Sequence, residues 1–143
     1  MKFLCCTFSA RKGVCQMIAR DIMTRKVYTI RPEASAQAAA QLLDQHRISG
    51  LPVVDEGNDI IGIVTEADII SKVDREGLRV SEIMSNEIIS VNEETPVSEI
   101  ALLLTERKIK RVPVVQDGKL VGIVSRADIV HAVAQGNLII RPW

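Results

Sequence analysis

The chain repeats itself, and internal repetition restricts the fold more than any local pattern, because each copy must build the same small unit. Asp21-Ile22-Met23-Thr24 returns as Glu82-Ile83-Met84-Ser85, an offset of 61 residues (82 − 21). Gly50-Leu51-Pro52-Val53-Val54 returns at the same offset as Arg111-Val112-Pro113-Val114-Val115. Gly62-Ile63-Val64-Thr65-Glu66-Ala67-Asp68-Ile69 returns as Gly122-Ile123-Val124-Ser125-Arg126-Ala127-Asp128-Ile129, now at offset 60 (122 − 62). The lost residue falls where Glu56-Gly57-Asn58-Asp59 faces Asp117-Gly118-Lys119, a turn, where deletions are tolerated.

Each copy carries the same succession of elements. A β-rich piece, Val27 to Ile30 or Ile88 to Val91, comes first. An amphipathic helix follows, with Ala36, Ala39, Ala40 and Leu43 at helical spacing and Val97, Ile100, Ala101 and Leu104 likewise. Thr95-Pro96 reads as an N-cap and first-position proline, and Ala34-Ser35 as a weaker start. Two apolar strands around a glycine-containing turn predict a hairpin in each copy, Leu51 to Val54 with Ile60 to Val64, and Val112 to Val115 with Leu120 to Val124. A second helix opens at Thr65 or Ser125, and Asp74-Arg75-Glu76-Gly77 is a polar linker. Units of about 50 residues seldom bury enough surface to stand alone. The expected fold class is α+β: two βαββα repeats packed with pseudo-twofold symmetry, sheets facing each other and helices outside. The expected divisions are a flexible leader at 1–18, repeats at 19–75 and 76–135, and a tail at 136–143.

Composition narrows the function. The chain has 143 residues, 47% of them apolar, which is enough for a core. Formal net charge is zero and aromatics are 3%, so neither the basic footprint nor the stacking platform of a nucleic-acid binder is present, and the Arg107-Lys108-Lys110-Arg111 run has Glu99 and Glu106 close by. No apolar run approaches the roughly 20 residues that span a bilayer. The apolar stretch from Phe3 to Phe8 is too short for a signal peptide, so a cytoplasmic protein is expected. Cys5, Cys6 and Cys15 all precede the repeats, and their odd number suggests neither a disulfide framework nor, with no fourth ligand beside them, a metal site. Residues 1–16 read either as a flexible leader or as an extension upstream of a true start at Met17.

The chemistry sits in Gly-Ile-Val-Thr/Ser-x-x-Asp. There a strand runs into a helix N-terminus, whose free N–H groups and dipole favour a phosphate. Thr65 and Ser125 offer a hydroxyl there, and Asp68 and Asp128 a carboxylate able to accept from a ribose diol. Ser/Thr-x-x-acid is also a capping box that binds nothing. A cap needs only the helix, whereas here the strand context recurs twice. Both readings stay open from the residues alone.

The ordered set of motifs resembles a tandem CBS domain pair, over roughly residues 19 to 134, and a stand-alone protein with no enzyme attached is the expectation. The resemblance implies AMP, ADP, ATP or S-adenosylmethionine bound in clefts between the repeats, no required cofactor, no metal and no catalysis. It implies ribose on Asp68 and Asp128, and phosphate or ribose on Thr65 and Ser125. It implies adenine against Thr29, Ile30, Ser90 and Val91, and against the backbone near Gly50, Leu51, Pro52, Arg111, Val112 and Pro113. Arg111 departs from the pattern where the first copy has Gly50, which either narrows the adenine approach or turns the arginine outward.

The copies differ in charge. Glu66 follows Thr65 and repels a phosphate; Arg126 follows Ser125 and attracts one, and Lys110 and Arg111 replace Ser49 and Gly50. The second copy is therefore expected to prefer phosphorylated ligands, unless both are plain surface charges. His46 and His131 stand at non-equivalent places and suggest no catalytic cluster. Met23 and Met84 are expected to pack. The function read from all this is a sensor whose ligand shifts a conformational equilibrium read by an unknown effector protein. The rival is a structural or dimerising module with empty clefts. Ile69, Ile70, Ile129, Val130 and Val133 predict a homodimer face, and Leu138-Ile139-Ile140-Arg141-Pro142-Trp143 an apolar tail that either covers a surface or frays.

Overall fold

The computed structural model describes residues 7–8 and 15–136. Cys5, Cys6 and the tail from Leu138 lie outside them. In chain order the elements are β1 (Thr7–Phe8), β2 (Cys15–Gln16), α1 (Ala19–Ile22), α2 (Ala36–His46), β3 (Gly50–Val54), β4 (Ile60–Thr65), α3 (Glu66–Ile70), α4 (Val80–Ile83), β5 (Val91–Asn92), α5 (Val97–Glu106), β6 (Arg111–Gln116), β7 (Lys119–Ser125) and α6 (Arg126–Ala134). The architecture is mixed α+β, two βαββα repeats with a short helix before each.

The compact units are out of phase with the repeats. One unit holds Val27–Ile89 with Asp117–Leu120; the other holds, of the described residues, those up to Lys26, Ser90–Gln116 and residues 121–136. The segment before each repeat thus joins the other repeat's unit. In the first unit Ala36 N–H donates to the Leu78 carbonyl at 2.8 Å, and Ser85 bridges Ile63. In the second, Val97 N–H donates to the Met17 carbonyl at 2.9 Å, and Thr24 bridges Ile123. Each segment so satisfies a donor that its host helix leaves free at its start.

Each unit's core follows from period. Leu51, Val53, Val64 and Val80 are fully buried together with Ala39, and Leu43 and Ile83 close the cluster. Val97, Ile100, Leu104, Val112, Val114 and Val124 are the matching buried set. Valine-rich short strands under an Ala/Leu helix face are what the alternation predicts.

Three local expectations change. First, the β-rich pieces are shorter. Ile30 alone bridges to Val53, and β5 is only Val91–Asn92, parallel to Val114–Val115. The cause is proline. Ile30 donates to the Pro52 carbonyl at 3.1 Å and accepts from Val54 at 3.0 Å, but the next rung needs an N–H that Pro52 lacks. Pro113 ends the β5 ladder the same way.

Second, the better cap is on the first copy. Ser35 Oγ accepts from Ala38 N–H at 3.0 Å. Thr95 does not cap α5, whose N-cap is Pro96. Its hydroxyl instead accepts from Asn92 N–H at 3.1 Å within a tight turn.

Third, the extra residue of the first copy enters the ladder as well as the turn. Val53 faces Gly62 while Val54 faces Ile60, which leaves Ile61 as a bulge. The second copy turns tightly through Asp117 and Gly118, both at positive φ (52° and 81°), the backbone of a two-residue hairpin turn. Lys119 Nζ of that turn reaches the Gly57 carbonyl at 2.7 Å and Asp59 at 3.3 Å. Asn58 Nδ2 donates to the Leu120 carbonyl at 3.0 Å.

Candidate functional site

In the first unit the expected residues lie near one end of a short sheet, where β3 starts and β4 runs into α3. Ile30 beside Val53 places Thr29 beside Pro52. Gly50 faces Thr65 across the hairpin, and Glu66 N–H donates to the Ser49 carbonyl at 3.0 Å, so α3 starts where β3 starts. β3 is the middle strand, so Thr29 and Thr65 flank it from opposite sides, with Gly50 and Pro52 on the strand between them and Asp68 within the first turn of α3. Ile30 is the anchor of its segment, with its side chain in the core and both main-chain groups in the ladder. Leu51 is buried too, so it offers main chain only.

The second unit repeats the arrangement. Val91 beside Val114 places Ser90, which is exposed, beside Pro113. Arg126 N–H donates to the Lys110 carbonyl at 3.0 Å, which ties the start of α6 to the start of β6. Val112 and Pro113 are buried, and Arg111 is half-buried and holds a partner of its own.

Both strand-to-helix junctions are formed capping boxes. Thr65 N–H donates to Asp68 Oδ2 at 2.8 Å, the Thr65 hydroxyl to the same oxygen at 3.0 Å, and Asp68 N–H returns to Thr65 Oγ1 at 3.4 Å. Ser125 and Asp128 do the same at 2.8, 3.0 and 3.2 Å. Cap and ligand group are not exclusive. The bonds that each carboxylate accepts converge on Oδ2, and Oδ1 of each half-buried aspartate takes no hydrogen bond among the described residues. One carboxylate can hold the helix start with one oxygen and present the other.

The junctions differ in field. Arg126 is exposed, and its Nε donates to the Ile109 carbonyl at 3.0 Å, which holds the guanidinium over the β6 start. Arg107, Lys108 and Lys110 are exposed beside it in sequence, and none of the four cations is ion-paired among the described residues. The first junction carries exposed Glu66 instead.

One feature of the first unit has no signal in the sequence pattern. Tyr28, the residue before Thr29, stacks on His46 at the end of α2, with ring centroids 3.7 Å apart and planes 15° from parallel. Eighteen positions separate them, and only the return of α2 over the segment brings them together. The second copy has Ile89 and Arg107 at these positions. Among the described residues no cluster of His, Cys, Asp or Glu could hold a metal, and no helix is long and apolar enough to cross a membrane.

Comparison with known proteins gives the same architecture. The chain is 35% identical over 114 residues to the CBS domain-containing protein YhcV of Bacillus subtilis (strain 168), covering 77% of this chain and 81% of that one. The CBS domain pair of protein MJ0100, solved with 5′-methylthioadenosine and S-adenosyl-L-methionine, superposes with a TM-score of 0.77 at 32% identity, over 85% of this chain and 98% of that one. CBSX2, solved in complex with AMP, superposes with a TM-score of 0.79 at 30% identity, over 85% and 98%. The CBS domain family matches residues 19–75 and 80–135. The chain belongs to the CBS domain family, as a tandem pair.

Proposed function

We propose that the chain is a regulatory module that binds an adenosyl ligand, AMP, ADP, ATP or S-adenosylmethionine, at its strand-to-helix junctions and performs no chemistry on it. The observation that carries this reading is the paired geometry of Asp68 and Asp128. Each caps its helix with Oδ2, and its Oδ1, beside a threonine or serine hydroxyl, takes no hydrogen bond among the described residues. A ribose diol needs such an acceptor. Thr29 and Ser90 and the main chain at Gly50–Pro52 and Arg111–Pro113 line the base in this reading. The complexes of MJ0100 and CBSX2 support the ligand class.

Phosphate belongs at the second junction, where Arg126, Lys110, Lys108 and Arg107 carry no ion pair among the described residues. Ligand binding shifts a conformational equilibrium in proportion to its preference for one state, and a protein partner reads the shift. Adenine nucleotides are cytoplasmic metabolites, and that is the compartment this reading assigns. Self-association uses exposed Leu102 on α5 and Val130 on α6, at 57% and 66% exposure.

A thermal-shift series with AMP, ADP, ATP and S-adenosylmethionine tests the reading. A ligand of the folded state at about one hundred times its Kd adds roughly 2.7 kcal/mol and raises the midpoint. No shift with any of the four favours a structural module with empty junctions.

A further inference from the structure

Thr29, which lines the base in the reading above, belongs to a segment that its sheet holds at a single point. Ile30 bridges Val53, with its N–H on the Pro52 carbonyl at 3.1 Å and its carbonyl on the Val54 N–H at 3.0 Å. From Arg25 to Thr29 the main chain makes no hydrogen bond among the described residues. The second copy has two ladder pairs at the corresponding place, Val91 with Val114 and Asn92 with Val115. The first copy has one pair and, in addition, the aromatic stack.

The stack supplies a second point of attachment, on the other side of Thr29. Tyr28 lies on His46 with ring centroids 3.7 Å apart and planes 15° from parallel. Tyr28 is 37% exposed and His46 half-buried, so the stack, more than burial, orders the tyrosine. His46 ends α2, the helix whose Ala39 and Leu43 share a core with Ile30. Thr29 is thus held from both sides, by the ladder at Ile30 and by the stack at Tyr28. We propose, resting on the adenosyl reading of the junctions, that Tyr28 and His46 are positioning residues that set Thr29 against the base at the first junction. A segment ordered before its ligand arrives binds more tightly, because binding then meets less of the ordering cost. The second copy has Ile89 and Arg107 at these positions and holds the segment of Ser90 by its longer ladder. The stack therefore acts on one junction of the two.

5′-Methylthioadenosine is the probe, because it engages a junction without a phosphate contact. Titration calorimetry in an Asp128→Asn background reads the first junction, and in an Asp68→Asn background the second. In the first background Tyr28→Ala and His46→Ala are each expected to weaken binding about fivefold, the scale of one aromatic pair. The two changes together lose no more than either alone, because they remove one contact. Tyr28→Phe keeps the ring and keeps the affinity. In the second background none of these variants changes the affinity. In the ligand-free protein Tyr28→Ala, but not Tyr28→Phe, speeds hydrogen exchange of the Ile30 N–H, the anchor next to Thr29. First-junction binding that is absent, or indifferent to Tyr28→Ala, overturns the proposal while wild type still binds. So does an equal loss at both junctions, which would be a general loss of stability. So does a loss with Ile30 exchange unchanged, which would make Tyr28 a direct ligand contact. No binding by wild type overturns the adenosyl reading itself, and this role with it.

Discussion

Met84 stands against Gly62 so closely that a Cβ built on the glycine lies 2.6 Å from the methionine Sδ, and Met23 stands against Gly122 the same way at 2.7 Å. Backbone closes each contact, with the Ser85 and Thr24 carbonyls both 3.0 Å from the built Cβ. The glycine of each Gly-Ile-Val motif is thus the seat for the methionine of an Asp/Glu-Ile-Met motif. These are the two ends of the device that fastens each leading segment to its unit.

Gly62→Ala and Gly122→Ala are each expected to lose about 1–3 kcal/mol, the usual cost of forcing a methyl into packed space. Urea unfolding measures it. Met84→Ala should recover part of the loss from Gly62→Ala and none from Gly122→Ala, because coupling is confined to groups in contact.

Ser35→Ala is expected to destabilise by about 1 kcal/mol through loss of its bond from Ala38 N–H. The same unfolding series should find Thr95 acting on the Asn92 turn rather than on α5, so that Thr95→Ser, which keeps the hydroxyl, is close to neutral.

The two motifs and their repetition were legible in the sequence; their pairing was not. Met23 meets Gly122 rather than Gly62 because the segment before each repeat packs in the other unit. Periodicity describes one element at a time and carries no information on that exchange. Hairpins, helix faces and buried valines were legible for the opposite reason, since alternation and helical spacing act locally. The strand edges were overextended because Pro52 and Pro113, which end the ladders, stand on the partner strand. The junctions were readable as residues but not as geometry. That each carboxylate takes its cap bonds on Oδ2, with no hydrogen bond to Oδ1 among the described residues, needs coordinates. The stack of Tyr28 on His46 had no pattern to announce it.

Lys119→Ala is expected to cost less than about 1 kcal/mol, and less still at high salt, because its partner Asp59 is half exposed and the pair is screened. Salt-dependent unfolding midpoints of wild type and variant check this.

Arg126→Glu should weaken ATP by about tenfold or more, the scale of a lost charge-assisted contact, and leave 5′-methylthioadenosine, which has no phosphate, unchanged. Titration calorimetry with both ligands separates the charge from the base. Equal losses for both would place Arg126 outside the phosphate field.

The most direct test is titration of AMP into wild type, Asp68→Asn, Asp128→Asn and the double variant. Asparagine keeps an acceptor for the cap and removes the charge, so folding, followed by circular dichroism, stays intact. The account predicts saturable binding in wild type, a larger loss from Asp128→Asn than from Asp68→Asn, and no measurable binding in the double variant. Undiminished AMP binding by the folded double variant would contradict it.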